Sequence, residues 1–349
     1  MSEPKHIGIV GSGLMGAGIA EVAALAGLPV TLVKATAGDP ESARARIRAS
    51  MAARVAKGKL AAEDADRALA LITATCDVDA VAGCDLVIEA IVEDLGAKRE
   101  LFARLDALLA PGAILASNTS TLKIADLSEG LRPRRTLGLH FFSPVPAMAL
   151  VEVAHLADTD ADALAACEAF VARLGKTAVP VLDSTGFVVN RLLVPMLLGA
   201  IHAYEQGLAS AEHIDTAMRL GCGHPMGPLA LSDLIGLDVV YAMAKLLYKE
   251  FGDDRYRAPA LLRRLVQAVR RDPRFFSRGY AATRDGIAHF RHDVLTILHT
   301  PGHPDRSTME EIGIGSMYDF FSTSACRDLV FHPQEATFTI PGLERMIAR

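Results

Sequence analysis

The chain has only five cysteines, Cys76, Cys84, Cys167, Cys222 and Cys326, an odd number with no pair in C-x-x-C spacing. That scatter excludes a thiolate zinc module and a disulfide framework, and fits a reducing, cytoplasmic compartment. An excess of charge of one sign is also lacking. A formal net charge of −5 argues against a non-specific polyanion or nucleic-acid binder. No apolar run is long enough for a membrane span. The strongest candidate, "GFVVNRLLVPMLLGAIHAY" over 186–204, is interrupted by Asn190, Arg191 and Pro195 and predicts a buried helix instead. The opening "MSEPKHIGIV" enters a strand pattern almost at once, so no signal peptide is expected. Internal repeats and low-complexity tracts are lacking too. What remains is a 349-residue chain with 51% hydrophobic and 22% charged residues, an ordinary soluble balance with length for two or three domains.

Over residues 1–185, short apolar runs alternate with amphipathic segments. The runs "HIGIV", "PVTLV", "DLVIEA", "AILASN", "TLGLHFF", "LVEVA" and "TAVPVLD" read as strands, and 40–58 and 95–109 as helices. Such alternation predicts an α/β fold with a mostly parallel sheet covered on both faces. Over 186–271 the pattern is helical only, which predicts a second, all-α domain joined through 183–186. Residues 272–349 differ again, as an atypical extension. "RRDPRFFSRGYAATRDG" is charged and irregular, and "TPGHPDRST" is a linker signal. His292, His299, His303 and His332 lie in this part without metal-like spacing.

Gly11-Ser12-Gly13-Leu14-Met15-Gly16 is a G-x-G-x-x-G set between a strand and a helix, inside the first strand–helix–strand unit. Gly11 permits the tight turn, Gly13 lets the backbone approach a pyrophosphate, and Gly16 lets the helix pack close to the sheet. Leu14 and Met15 open a helix whose unpaired N–H groups face phosphate. A dinucleotide site is therefore predicted on the first unit. Lys34 ends the second strand, where an NAD-specific site carries an acid that accepts from the adenosine ribose diol and repels a 2′-phosphate. A lysine accepts nothing and attracts phosphate. Three outcomes stay open: a preference for NADP, NAD held by other groups such as Thr36, or a lysine turned to solvent. No arginine follows Lys34 directly, and a 2′-phosphate pocket usually wants more than one cation. NAD is the expected cofactor, with NADP left open.

Oxidising a secondary alcohol needs a base for the hydroxyl proton, and histidine is suited to that near neutral pH. His140 ends the apolar strand "TLGLH", at the sheet edge where α/β sites open. Twelve residues on, Glu152 sits in "LVEVA". Neighbouring strands joined by a short loop bring its carboxylate against the imidazole, where it orients the ring and stabilises the protonated form.

Four stretches, "ASNTSTL", "GLHFFSPVPAMALVEV", "GFVVNRLLVP" and "HPMGPLALSDLIGLD", occur in this order within residues 5–268. Together they resemble the L-3-hydroxyacyl-CoA dehydrogenase family, its 3-hydroxybutyryl-CoA branch in particular. The resemblance implies His140 as general base and Glu152 as its partner. It implies Ser120 and Asn190 as hydrogen-bond donors to the substrate's C3 oxygen, with Ser120 also near the nicotinamide. It implies Glu93, Lys98 and Ser143 at the nicotinamide half of the cofactor, and Ser50 and Lys57 at the CoA phosphate and pantetheine. It further implies an acyl-CoA substrate and a homodimer built through the helical domain. Three departures stand out. Lys34 is the first. Ser143 replaces a frequent asparagine in "HFFNP". The family's glycine- and lysine-rich closing segment has no counterpart in "RRDPRFFSRGYAATRDG", which has no lysine and where Arg278 is the candidate substitute. The expected activity is NAD-dependent oxidation of short-chain L-3-hydroxyacyl-CoA. An NADPH-linked reductase, motivated by Lys34, and a cofactor-binding protein without catalysis, motivated by the tail, are the alternatives.

Overall fold

The computed structural model describes residues 3–271. The segment 272–349, with Arg278, the four histidines named above and Cys326, lies outside the described residues. The chain forms two compact units that part in sequence between Val189 and Asn190.

The first unit runs β1 (Ile7–Val10), α1 (Leu14–Leu25), β2 (Val30–Val33), α2 (Glu41–Ala56), α3 (Ala62–Ala70), β3 (Ile72–Thr75), β4 (Leu86–Glu89), α4 (Leu95–Leu108), β5 (Ile114–Ser117), α5 (Ile124–Leu127), β6 (Thr136–Phe141), β7 (Leu150–His155), α6 (Ala161–Arg173) and β8 (Thr177–Leu182). Its eight strands lie in the order β3-β2-β1-β4-β5-β6-β7-β8. Every neighbouring pair is parallel except β6 and β7. The expected α/β sheet is thus present, and the apolar runs read from the sequence supply every strand except β3. "ITAT" escapes because it is an edge strand with one fully buried side chain, Ile72, following directly on a helix. The central strands β1, β4 and β5 are buried along their length, as a sheet covered on both faces requires. One apolar layer joins Ile9, Ile19, Ile47, Ile88 and Phe170, and the other joins Val10, Val87, Phe102, Leu115 and Phe187. Chain order reverses between β2-β1 and β4, and ligands of such sheets bind beyond the carboxyl ends of the strands at that crevice.

The second unit contains α7 (Val189–Glu205), α8 (Ala211–Cys222), α9 (Pro228–Ile235), α10 (Leu237–Phe251) and α11 (Ala260–Arg271). Local chemistry sets their ends. Ser210 caps α8, accepting from His213 N at 3.3 Å. Asp215 accepts from Leu229 N (2.8 Å) and Ala230 N (3.0 Å), pairing two orphan donors at the start of α9. Gly223 and Gly252 close α8 and α10 in the left-handed conformation that glycine adopts without strain. The unit's core gathers Val194, Leu197, Ile201, Leu229, Val240, Ala244, Leu247 and Leu262, while Leu192, Leu208, Leu220 and Leu234 are exposed. Among the described residues no helix is long and apolar enough to cross a membrane.

The thiols divide by burial. Burial pushes the Cys84 thiol up to about 11 and the Cys167 thiol up to about 12, whereas Cys76 and Cys222 are exposed. Reactivity follows thiolate content and access. Iodoacetamide at pH 8 is therefore expected to label Cys76 and Cys222 in the native protein. Cys84 and Cys167 are expected to react only after denaturation, as peptide mass spectrometry would show.

Candidate active site

At the end of β1, Gly11 turns the chain at φ +117° and donates its N–H to Val33 O at 2.9 Å. A Cβ at Gly11 would overlap the Ala90 carbonyl, and one at Gly16 would overlap the carbonyl oxygen of Gly11. Gly13 differs, with nothing within 4 Å of where its Cβ would stand. The first turn of α1 carries no side-chain cap and no acid, and Leu14 is exposed while Met15 packs on the core. Open space over Gly13, together with uncapped N–H groups at a helix N-terminus, fits the pyrophosphate of a dinucleotide. Lys34 does not simply point to solvent. It is half-buried, with Nζ 3.2 Å from Thr36 Oγ1.

A buried polar network lies at the carboxyl ends of β4 and β5. Glu89, fully buried at the end of β4, accepts from Ile91 N, Lys98 Nζ and Ser117 Oγ, each at 2.6 Å. Lys98 is only 1% exposed, and its ammonium also lies 3.3 Å from Glu93. The other Glu93 oxygen accepts from Thr119 Oγ1 (2.6 Å), Ser120 N (3.0 Å), Thr121 N (3.2 Å) and Thr121 Oγ1 (3.0 Å). Burial alone would raise the Glu93 carboxyl. The Lys98 ammonium, the two threonine hydroxyls and the Ser120 N–H outweigh it and hold the group below the usual carboxylate range. Glu93 thereby fixes the backbone of the 119–121 turn and the position of Ser120.

His140 and Glu152 are directly opposed residues of the antiparallel β6–β7 ladder, so both side chains leave the sheet on one face. The imidazole Nδ1 is 2.7 Å from Glu152 Oε2, with both residues buried. The second carboxylate oxygen, Oε1, accepts from Val188 N (3.0 Å) and Val189 N (2.9 Å) where α7 begins. Phe187 makes this possible. Its φ of +45° is unusual for a non-glycine residue and costs about 1 kcal/mol or more. Its ring lies 5.7 Å from the imidazole, and the Phe142 ring lies 4.3 Å from it. With Glu152 accepting on both oxygens, Nδ1 carries the ring proton. Nε2 is left with a lone pair, the form a general base needs.

The first unit therefore brings the glycine turn, the Glu93–Lys98–Ser120 network and the His140–Glu152 pair to the same carboxyl edge of its sheet. Ser143 is exposed, three residues past His140 in the loop after β6. Asn190 is the second residue of α7, buried, in the second unit. Ser50 is half-buried on α2, and Lys57 is exposed at its C-terminal cap. Three residues of this edge were not singled out by sequence reasoning. Glu89 had a signal, an acid closing the apolar run "DLVIEA". Asn118, whose Oδ1 accepts from Phe141 N at 2.9 Å and so ties β5 to β6, was visible in "ASNTSTL" without a role. Arg46, which donates to Ser12 O at 2.6 Å, had none, since 34 residues separate the two.

Comparison with known proteins bears on the same arrangement. The family model described as 3-hydroxyacyl-CoA dehydrogenase, NAD binding domain, matches residues 6–184, and that of the family's C-terminal domain matches residues 186–274. A 3-hydroxybutyryl-CoA dehydrogenase of Mycobacterium tuberculosis is 46% identical over 267 residues, covering 76% of this chain and 93% of the relative. The mitochondrial hydroxyacyl-coenzyme A dehydrogenase of Sus scrofa is 47% identical over 242 residues, covering 67% and 77%. The crystal structure of (S)-3-hydroxybutyryl-CoA dehydrogenase from Ralstonia eutropha superposes with a TM-score of 0.74 at 41% identity, covering 76% of this chain and 94% of that one. Sheet order, glycine turn and sequence thus agree, and the chain belongs to the 3-hydroxyacyl-CoA dehydrogenase family as an oxidoreductase whose first domain binds NAD.

Proposed function

We propose that the protein oxidises short-chain L-3-hydroxyacyl-CoA thioesters to 3-oxoacyl-CoA, reversibly, and acts as a cytoplasmic homodimer. The observation that carries the chemistry is the buried His140–Glu152 pair, with the imidazole proton held on Nδ1. Bound NAD supplies the hydride acceptor. The proton of the C3 hydroxyl passes to Nε2 of His140, and Glu152 stabilises the imidazolium that forms. Buried general bases of this kind contribute about 10²–10⁴-fold to rate. Ser120, held by Glu93 through its own N–H, and Asn190 donate hydrogen bonds to the C3 oxygen. Glu93, Lys98 and Ser143 shape the nicotinamide half of the cofactor site. Ser50 and Lys57 contact the CoA portion. The large apolar side chains that the second unit leaves exposed, Leu192, Leu208, Leu220 and Leu234, support self-association, which would cover them. Four unpaired thiols among the described residues suit a reducing compartment.

The test is a substrate series with NAD: C4, C6 and C10 L-3-hydroxyacyl-CoA, and free 3-hydroxybutyrate. Expected is the highest kcat/KM for the C4 thioester and no turnover of the free acid. Oxidation of the free acid without oxidation of any thioester would overturn the reading. Light scattering is expected to give twice the chain mass, and a monomer at micromolar concentration would remove the dimer.

A further inference from the structure

An NAD-specific site ends its second strand on a carboxylate. Here that end carries Lys34 and no acid follows until Asp39. The acids of this loop are committed elsewhere. Asp39 Oδ1 accepts from Glu41 N at 2.9 Å at the start of α2, and Glu41 lies 3.6 Å from Arg44. Among the described residues the Lys34 ammonium bonds only to the Thr36 hydroxyl, and its stem folds back beside Gly38, where a Cβ would stand 3.1 Å from Lys34 Cε. A second cation comes from α2 to the glycine turn. Arg46 is exposed and donates to Ser12 O in the glycine turn. That turn is bonded to the end of β2 through Gly11 N and Val33 O, so Lys34 and Arg46 flank one junction. Among the described residues neither has a carboxylate within ion-pair distance.

We infer that Lys34, Thr36 and Arg46 form a subsite for the 2′-phosphate of NADP, so that the protein takes NADP(H) as well as NAD(H). A phosphomonoester presents three acceptor oxygens and close to two negative charges, which suit an ammonium, a guanidinium and a hydroxyl donor. The arginine that a 2′-phosphate site needs is thus present, supplied through space rather than next to Lys34 in sequence. Among the described residues no carboxylate neutralises either cation. The ribose diol of NAD loses its carboxylate acceptor but still meets Thr36, so NAD is accommodated without being selected. This inference rests on the dinucleotide site described above.

The test is binding, separate from turnover. NADH and NADPH are titrated into the full chain by nicotinamide fluorescence at low salt, and the titration is repeated with Lys34→Glu and Arg46→Gln. The subsite predicts dissociation constants for the two cofactors within about tenfold of each other in the unaltered protein. It predicts that Lys34→Glu weakens NADPH relative to NADH by about 100-fold, with a smaller shift for Arg46→Gln. Added salt is expected to weaken NADPH more than NADH. Tight NADH binding with NADPH more than tenfold weaker, or a ratio that Lys34→Glu leaves within twofold, would sink the subsite alone. Binding of neither cofactor would sink the dinucleotide site, and the subsite with it.

Discussion

His140→Gln is expected to lower kcat by about three to four orders of magnitude while leaving the dissociation constant for NADH within about threefold of the unaltered protein. Glutamine cannot take up a proton at neutral pH, so the loss falls on the chemical step. The imidazole belongs to β6 and takes no part in the glycine turn or the Lys98 network, so cofactor binding is spared. Glu152→Gln gives a sharper result, because it changes little in volume. The amide oxygen can still accept from Val188 N and Val189 N, which turns the NH₂ group toward Nδ1. Nδ1 must then accept, the ring proton moves to Nε2, and the base is blocked by tautomer alone. A loss near 10³–10⁴-fold is expected, as in other histidine–acid pairs whose acid is made an amide. Single-turnover kinetics with the C4 thioester would check both variants. Survival of more than a tenth of the activity in either would remove His140 as the base.

The second large effect separates two glycines of one turn. Gly13 is extended, with a negative φ of −67°, and has open space around its missing Cβ, so Gly13→Ala is expected to leave stability within about 0.5 kcal/mol. The added methyl fills the space assigned to the pyrophosphate, and NADH affinity is expected to fall by about 100-fold, about 2.7 kcal/mol. Gly16→Ala places its methyl on the Gly11 carbonyl oxygen, and backbone must move. Overpacking of that kind costs about 1–3 kcal/mol and would lower the melting temperature as well as affinity. Thermal melts paired with NADH titration distinguish the two. A Gly13→Ala protein that binds NADH normally would show that no phosphate approaches that turn.

Much of the first unit was legible because its information is local. Strands buried on both faces are continuous apolar runs, and "IGIV", "LVIE" and "ILAS" announce themselves. The glycine turn was legible because the strand before it and the helix after it are equally plain. His140 and Glu152 were legible because two strands and a short loop leave few ways to pair. What escaped is long-range. Whether Lys98 was a solvated lysine or a buried one depended on Glu89, nine residues earlier on a different element. The aid given to Glu152 by Val188 and Val189 depends on Phe187 adopting a conformation that no pattern in "TGFVV" demands. The Arg46 contact to Ser12 depends on how α2 packs beside α1, a property of the assembled layer rather than of either segment.

Because His140 and Glu152 meet across an antiparallel ladder, their spacing does not depend on the number of residues in the connection between β6 and β7. Residues can be gained or lost at the exposed end of that connection, 147–149, while the two strands close in unchanged alignment. A single residue inserted within either strand does the reverse. Every side chain beyond it changes face, and the ring and the carboxylate part to opposite sides of the sheet. Length variation is thus expected to be tolerated at the exposed residues 147–149, past Phe142, Ser143 and the buried Val145, and to abolish activity within either strand.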